Sequence, residues 1–311
     1  LNQCRHEYYN LNAPTISDQE YDKLFDELTR LEQVTGIQMA NSPTQTVGYS
    51  PVSELPKTTH RIPLLSLDKE KRSAALLEFI GNQLVLLMLK LDGLTIKLTY
   101  ENGTLVEAAT RGDGNEGEVV THNARGITGI PQKIPYSGHL VVVGEAFIRP
   151  SDFAKLKDKL LDSSGKPYKN GRNLAAGSVR LLDARVCKER CVTFMPFNVL
   201  EGLDALELKS DRLMQLWGYG FTVCPYLKTT AALNQRYIDM GIERLQELAK
   251  KHDVPIDGIV VTYNNVAYSK SCGRTGHHYK DGIAYKFEDD AFETCLQSIE
   301  WNPTRSGEIA P

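Results

Sequence analysis

Residues 84–110, LVLLMLKLDGLTIKLTYENGTLVEAAT, decide how this chain folds. They open on Leu84–Leu89, the longest purely apolar run in the sequence, which stops at Lys90. Six residues fall far short of the ~20 that cross a bilayer and suit a buried strand instead. Beyond Asp92-Gly93, Leu94, Ile96, Leu98 and Tyr100 alternate with Thr95, Lys97 and Thr99, the period-two pattern of a second strand. Asn102-Gly103 then supplies the two left-handed residues of a hairpin turn, and a third strand runs back to Thr110. The local sheet is therefore expected to be antiparallel.

The same reading extends outward. Strands are predicted over 139–147, 192–199 and 256–263, and helices near 151–161, 211–217 and 234–251. Without a regular βαβ alternation, the fold class is α+β with largely antiparallel sheets and flanking helices. At the N-terminal end, Ser17 and Glu20 form a capping box, and Tyr21, Leu24, Phe25, Leu28 and Leu31 recur at helical spacing until Gly36. Residues 36–63 carry Pro43, Pro51, Pro56 and Pro63 without periodicity, so a small helical subdomain over 1–60 is expected to precede the main domain.

Composition excludes several classes. In 311 residues, 41% hydrophobic and 24% charged residues describe an ordinary globular chain and rule out collagen, coiled coil and disorder. With Leu1 in place of Met and no leader pattern, the chain reads as an excised piece of an unsecreted protein. Six cysteines without a CxxC pair suit a reduced, cytoplasmic setting, and Cys187 and Cys191, four apart with no second pair, read as unbridged thiols. The net charge of −3 argues against a simple nucleic-acid-binding module, but it is unevenly spread. Residues 1–60 hold four cationic and eight acidic side chains, whereas the remainder holds 32 and 31. An acidic N-terminal segment suits a cationic small ligand better than a phosphate backbone.

Lys90-Leu91-Asp92-Gly93 places an ammonium at a strand end with a carboxylate two residues on. Alone, this reads as a solvated turn. Its company changes the reading: Thr110-Arg111-Gly112-Asp113-Gly114, Gly144-Glu145, Asp257-Gly258 and Tyr285-Lys286-Phe287 follow in order. With Tyr8-Tyr9, Asp18, Tyr21-Asp22, Ser42-Pro43-Thr44, Pro63 to Asp68 and Arg172-Asn173 through Arg180, they make the chain resemble, over nearly its whole length, the adenylation region of bacterial NAD-dependent DNA ligases.

The resemblance implies a nucleotidyltransferase domain over 61–297 and, over 298–311, the start of an oligonucleotide-binding barrel. It implies that Lys90 attacks NAD, retains AMP as a phosphoramide and releases nicotinamide mononucleotide (NMN), for later transfer of AMP to the 5′-phosphate of nicked double-stranded DNA by the full-length protein. A free lysine is almost wholly protonated near neutral pH, so a nearby cation, Lys286 or Mg²⁺, is expected to favour the amine. By the same resemblance, Asp92 orients Lys90 or holds Mg²⁺-bound water, and Glu145 contacts the ribose or the Mg²⁺. Ser66, Leu67, Arg111, Glu145, Arg172, Phe197, Asp257 and Lys286 contact the nucleotide, with Phe197 stacked on adenine. Arg180 grips phosphate or DNA. Tyr8, Tyr9, Asp18, Tyr21 and Asp22 form the NMN site, where aromatic faces and carboxylates suit a pyridinium. A cytoplasmic monomer with no membrane partner is expected. Competing readings are an ATP-using nucleotidyltransferase, which would lack the Tyr8–Asp22 cluster, and a non-catalytic nucleotide- or DNA-binding homologue.

The chain departs from the family pattern in three places. Met88 stands where a glutamate accepts from the adenine amino group, Thr262 stands where a lysine is directed at phosphate, and His277 to Asp281 replaces a proline-arginine-tryptophan run. Thr262→Lys is therefore expected to speed adenylation unless another cation, such as Lys280, has taken over.

Overall fold

The computed structural model describes residues 1, 18–36, 42, 55–161, 167–229, 234–276, 278–287, 302–303 and 309–310, in part of 18–36 and after 287 as backbone alone. The first helix among the described residues, α1 (Asp18–Thr35), ends where Gly36 takes a left-handed φ of 64° and donates to the Glu32 carbonyl at 2.9 Å. Ser17 of the expected capping box lies outside the described residues. Leu24 and Leu31 on this helix are 50% and 43% exposed, so its apolar stripe is open to solvent there.

There follow β1 (Lys57–Thr59), β2 (Ser66–Glu70), α2 (Ser73–Ile80), β3 (Val85–Leu91), β4 (Leu94–Glu101), β5 (Thr104–Thr110) and β6 (Glu116–Glu118). Next come α3 (Thr121–Ala124), β7 (His139–Phe147), α4 (Pro150–Leu156), α5 (Gly171–Val179), α6 (Arg185–Glu189), β8 (Thr193–Glu201) and α7 (Lys209–Gly218). The order continues with β9 (Tyr226–Thr229), α8 (Gln235–Lys251), β10 (Ile256–Tyr263), α9 (Val266–Ser271) and β11 (His278–Lys286). A short antiparallel pair, Asn302–Pro303 with Ile309–Ala310, closes the described chain.

Two sheets carry the architecture. One has the order β2-β11-β10-β3-β9, the other β5-β4-β7-β8. Every pairing in them is antiparallel except that of β11 with β2. Because β3 belongs to the first sheet and β4 to the second, Asp92-Gly93 is the crossing between them. The expected hairpin turn is present: Asn102 and Gly103 have φ of 47° and 79°.

Alternation sets the layers. Ile259, Val261 and Tyr263 of β10 are buried on the face covered by α2 and α8, where Tyr263 stacks on Phe79 with ring centroids 4.7 Å apart and donates to its carbonyl. Helix α8 buries Ile238, Ile242, Leu245 and Ala249 at i, i+4, i+7 and i+11, the stripe of an amphipathic helix. The opposite face of the sheet carries Leu86, Met88 and Lys90 of β3. In the second sheet, Ile96, Leu98 and Tyr100 are fully buried, and Lys97 between them is buried against Glu107 at 3.0 Å.

The strands predicted over 139–147 and 256–263 match β7 and β10. The helix predicted to 161 stops at Leu156, and α2, α5, α9, β2, β9 and β11 form where no element was predicted. Their partners are distant in sequence, and His278–Lys286, although nine residues long, carries His278, Lys280, Asp281 and Gly282 in place of a regular apolar alternation, so local periodicity does not announce them.

Candidate active site

Two interruptions of the ladders place the central side chains. In the β10–β3 pairing, Ile256 faces Leu91 and Gly258 faces Lys90, so Asp257 is one residue more than the partner strand requires. In the β7–β8 pairing, Gly144 faces Pro196 and Val143 faces Asn198, which makes Phe197 a second such residue. A bulge of this kind re-aims a side chain that strict alternation would send to the other face.

Gly258 also pairs with Lys286 on β11, so Lys90, Gly258 and Lys286 form one row across three strands. With strands ~4.8 Å apart, the two lysine backbones lie about 10 Å apart, separated by a residue that has no side chain. Asp257 fills that gap. Its carboxylate accepts from Lys90 Nζ at 2.7 and 2.8 Å, and one of its oxygens lies 3.2 Å from Lys286 Nζ. Two ammoniums against one carboxylate leave a net positive site, partly open, with the side chains 23%, 24% and 37% exposed for Lys90, Asp257 and Lys286. Such a site attracts phosphate. The close approach explains the glycine: a Cβ at 258 would collide with the Tyr285 carbonyl, and one at Gly93 with that of Ala146.

Glu145 approaches from the second sheet. It faces Thr95 across β4, whose hydroxyl donates to it at 2.9 Å. Burial pushes its carboxyl up to about 7, against the opposing pull of the Thr95 hydrogen bond and of the charges on Arg172, Lys90 and Arg111. Asp92 at the crossing accepts from Arg172 Nη1 at 3.1 Å, and its backbone N–H donates to Pro255 next to β10. Arg111 lies in the loop after β5, where its backbone N–H donates to Thr95 and its carbonyl lies 3.2 Å from His60 Nε2. His60 is buried, which lowers its pKa and favours the neutral ring.

Residues 52–290 match the family model described as the NAD-dependent DNA ligase adenylation domain, and residues 1–48 match that of the DNA ligase-like N-terminal NAD+-binding domain. The chain belongs to the NAD-dependent DNA ligase family. It is 43% identical to a DNA ligase of Ruminiclostridium cellulolyticum and 42% identical to one of Lachnoclostridium phytofermentans, in each case over 100% of this chain and 47% of that protein. It thus spans about half the length of these relatives. An archaeal ATP-dependent RNA ligase of known structure aligns with 72% of this chain and 48% of its own at a TM-score of 0.42 and 13% identity.

Within this ligase-family chain, the structure brings together Lys90, Asp257 and Lys286, and sets Glu145, Asp92, Arg172 and Arg111 around them. Phe197 is half-buried on β8. Ser66 and Leu67 lie on β2, facing His278 and Tyr279. Arg180 pairs with Glu118 at 2.6 Å. Tyr8 and Tyr9 lie outside the described residues. Asp18, Tyr21 and Asp22 share one face of α1 at i, i+3 and i+4, and their side chains also lie outside the described residues. Among the described residues, no three His, Cys, Asp or Glu side chains gather as a metal cluster, and Cys187, Cys191, Cys224 and Cys272 are free thiols.

Sequence reasoning missed Thr95, although its place in an alternating strand beside Glu145 was readable once the pairing was known. It also missed Lys209. The cation beside Thr262 is Lys209, at 2.6 Å, and not Lys280, which is exposed. Met88 is 3% exposed and paired with Val260 and Tyr226, an apolar position in the core.

Proposed function

We propose that this chain is the self-adenylating part of an NAD-dependent DNA ligase. The observation that carries the reading is the row of Lys90 and Lys286 held to one Asp257 carboxylate. The nitrogen of Lys90 attacks the α-phosphorus of NAD. The N–P bond forms, the P–O bond to the NMN phosphate breaks, and NMN leaves with that oxygen. As an ammonium Lys90 has no lone pair to offer, so one proton must leave Nζ, to Asp257 or to water, before attack; the neutral amine can still donate an N–H to Asp257 while its lone pair faces the phosphorus. Lys286, on the far side of the same carboxylate, competes with Lys90 for Asp257 and faces the charge that develops on the phosphate.

Arg111 and Arg172 add positive charge on the Glu145 side. Phe197, freed from the ladder, offers a ring for stacking a base. Residues 1–48 match an NAD+-binding domain, which favours NAD over ATP as the donor. Mg²⁺ fits the oxygen donors of Asp92 and Glu145 as a hard cation bound mainly through nucleotide phosphates and water, where it would supply further charge stabilisation to the phosphate. Transfer of AMP to nicked DNA, with Arg180 toward phosphate, and a cytoplasmic setting complete the reading. Among the described residues, no helix is long and apolar enough to cross a membrane.

Intact-mass measurement after incubation with NAD or ATP, with and without Mg²⁺, tests the proposal. NAD should add one AMP, mapped to Lys90 and absent in Lys90→Ala. An adduct on another lysine, or one formed from ATP and not from NAD, would overturn it.

A further inference from the structure

Lys209 is a buried charge that the reaction just described does not use. It opens α7, and its backbone N–H donates to the Asn264 carbonyl beyond the end of β10. From there its side chain turns back over the sheet. Its ammonium donates to Thr262 Oγ1 at 2.6 Å and to Asp281 Oδ2 at 2.7 Å, and the Thr262 hydroxyl in turn donates to the Asp281 carbonyl at 3.0 Å. One lysine thus ties β10, β11 and α7 together. Burial pulls its pKa down, and Asp281 opposes that pull. Arg212 and the Cys272 thiol also face it. A buried ammonium is costly unless paired, and an apolar trio of similar volume would serve packing as well or better. Something other than packing must favour it here.

The ladder between β10 and β11 shows what. It runs from Gly258–Lys286 at one end to Thr262–Gly282 at the other. The first end is the lysine row. The second end is where Lys209 grips. β10 is held by its other neighbour, since it pairs with β3 without a break from Gly258 to Tyr263, but β11 breaks register with β2 between Tyr279 and Ile283, the stretch that includes Asp281. Sliding or twisting of β11 against β10 would part Lys286 from Asp257, and that contact, at 3.2 Å, is already the longest in the row. The two ends are four residues apart, ~13 Å along an extended strand, so Lys209 acts through the strands rather than by touching the reacting atoms.

We propose that Lys209 is a positioning residue of the adenylation centre: by holding Thr262 and Asp281 it fixes β10 against β11 and so sets Asp257 and Lys286 about Lys90. The inference rests on the functional reading above. It also gives Thr262 and Asp281, two of the departures from the family pattern, a joint role as the two acceptors of one relocated lysine.

The test compares the parent with Lys209→Met/Asp281→Leu, which removes both charges and leaves no orphan, and with Lys209→Arg, which keeps the charge. Two quantities are read: the single-turnover rate of AMP attachment at varied NAD, and the rate at which an amine-acylating reagent modifies Lys90, located by peptide mass. Melting temperature checks that the fold survives. The double variant should attach AMP about tenfold more slowly at saturating NAD, with half-saturation unchanged, and its Lys90 acylation rate should differ from the parent by about two- to thirtyfold. Lys209→Arg should recover most of both. A double variant that melts like the parent and matches it in either measurement would overturn the proposal. If the parent itself takes no AMP, the functional reading fails, and the acylation rates still decide whether Lys209 positions the lysine row.

Discussion

Replacing Glu145 with glutamine should stabilise the protein at alkaline pH and leave its stability little changed in acid. Glu145 is 8% exposed, and burial raises its carboxyl from the ordinary 4.5 to about 7. Between those values the folded chain binds more protons than the unfolded one, so stability falls as pH rises through the window, and the loss is complete above pH 7. At 1.36 kcal/mol per pH unit the full cost is about 3 kcal/mol. Glutamine keeps the shape, can still accept from the Thr95 hydroxyl and has no charge to bury. Relative to the parent, Glu145→Gln should therefore gain about 3 kcal/mol between pH 4.5 and pH 8, or about 6–12 °C in melting temperature for a chain of this size. Thermal and urea melts followed by circular dichroism at pH 4.5, 6 and 8 measure the difference. A difference from the parent that stays constant across that range would refute the assignment of a buried, proton-binding carboxyl. Adenylation by the variant should fall, because the anion that faces Lys90, Arg111 and Arg172 is gone.

Three further outcomes follow from the geometry. Thr262→Lys should not speed adenylation: a second ammonium ~4 Å from Lys209 costs about 4 kcal/mol at an effective dielectric near 20, so the variant should melt lower and regain stability when combined with Lys209→Gln. A Thr262→Lys single variant as stable as the parent would contradict the buried contact. Gly93→Ala drives a methyl into the Ala146 carbonyl at the crossing between the sheets, so soluble yield or melting temperature should drop sharply, and parental behaviour in both would show that the approach is looser than described. Removal of residues 1–48 should abolish AMP attachment from NAD while AMP already joined to Lys90 stays in place, and parental rates from NAD would sever that segment from donor choice.

The strands that run four or more residues with clear alternation were legible from the sequence, as were the Asn102-Gly103 turn and the α+β class, because side-chain period and turn chemistry are local properties. The candidate site was legible as a set of residue types in order. Its construction was not. That Asp257 would face Lys90 could not come from alternation, which sends successive residues to opposite faces, since the extra residue that turns it is defined only by its partner strand. The same holds for Phe197. The Asp257-Gly258 pair was a partial signal, as glycine in a strand marks a bulge or a close backbone approach. Lys209 gave no signal: it lies 53 residues from Thr262 and 72 from Asp281, and nothing near it in sequence distinguishes it from a solvated lysine at a helix start. Glu145 was readable as a functional carboxylate, but its raised pKa arises from burial, which only the packed sheets supply.

The two surplus residues have a further consequence. In β10 and β8 the chain is one residue longer than pairing demands at the point where a side chain is needed in the cleft. Removing the surplus would give straighter, better-bonded ladders and an empty centre, so backbone regularity and reactivity pull in opposite directions at these two positions. Leu200 in β8 and Val106 in β5 are surplus in the same way, away from the lysine row. At Asp257 and Phe197 chain length matters as well as residue identity: both are held in place by the arithmetic of the strands as much as by their own chemistry.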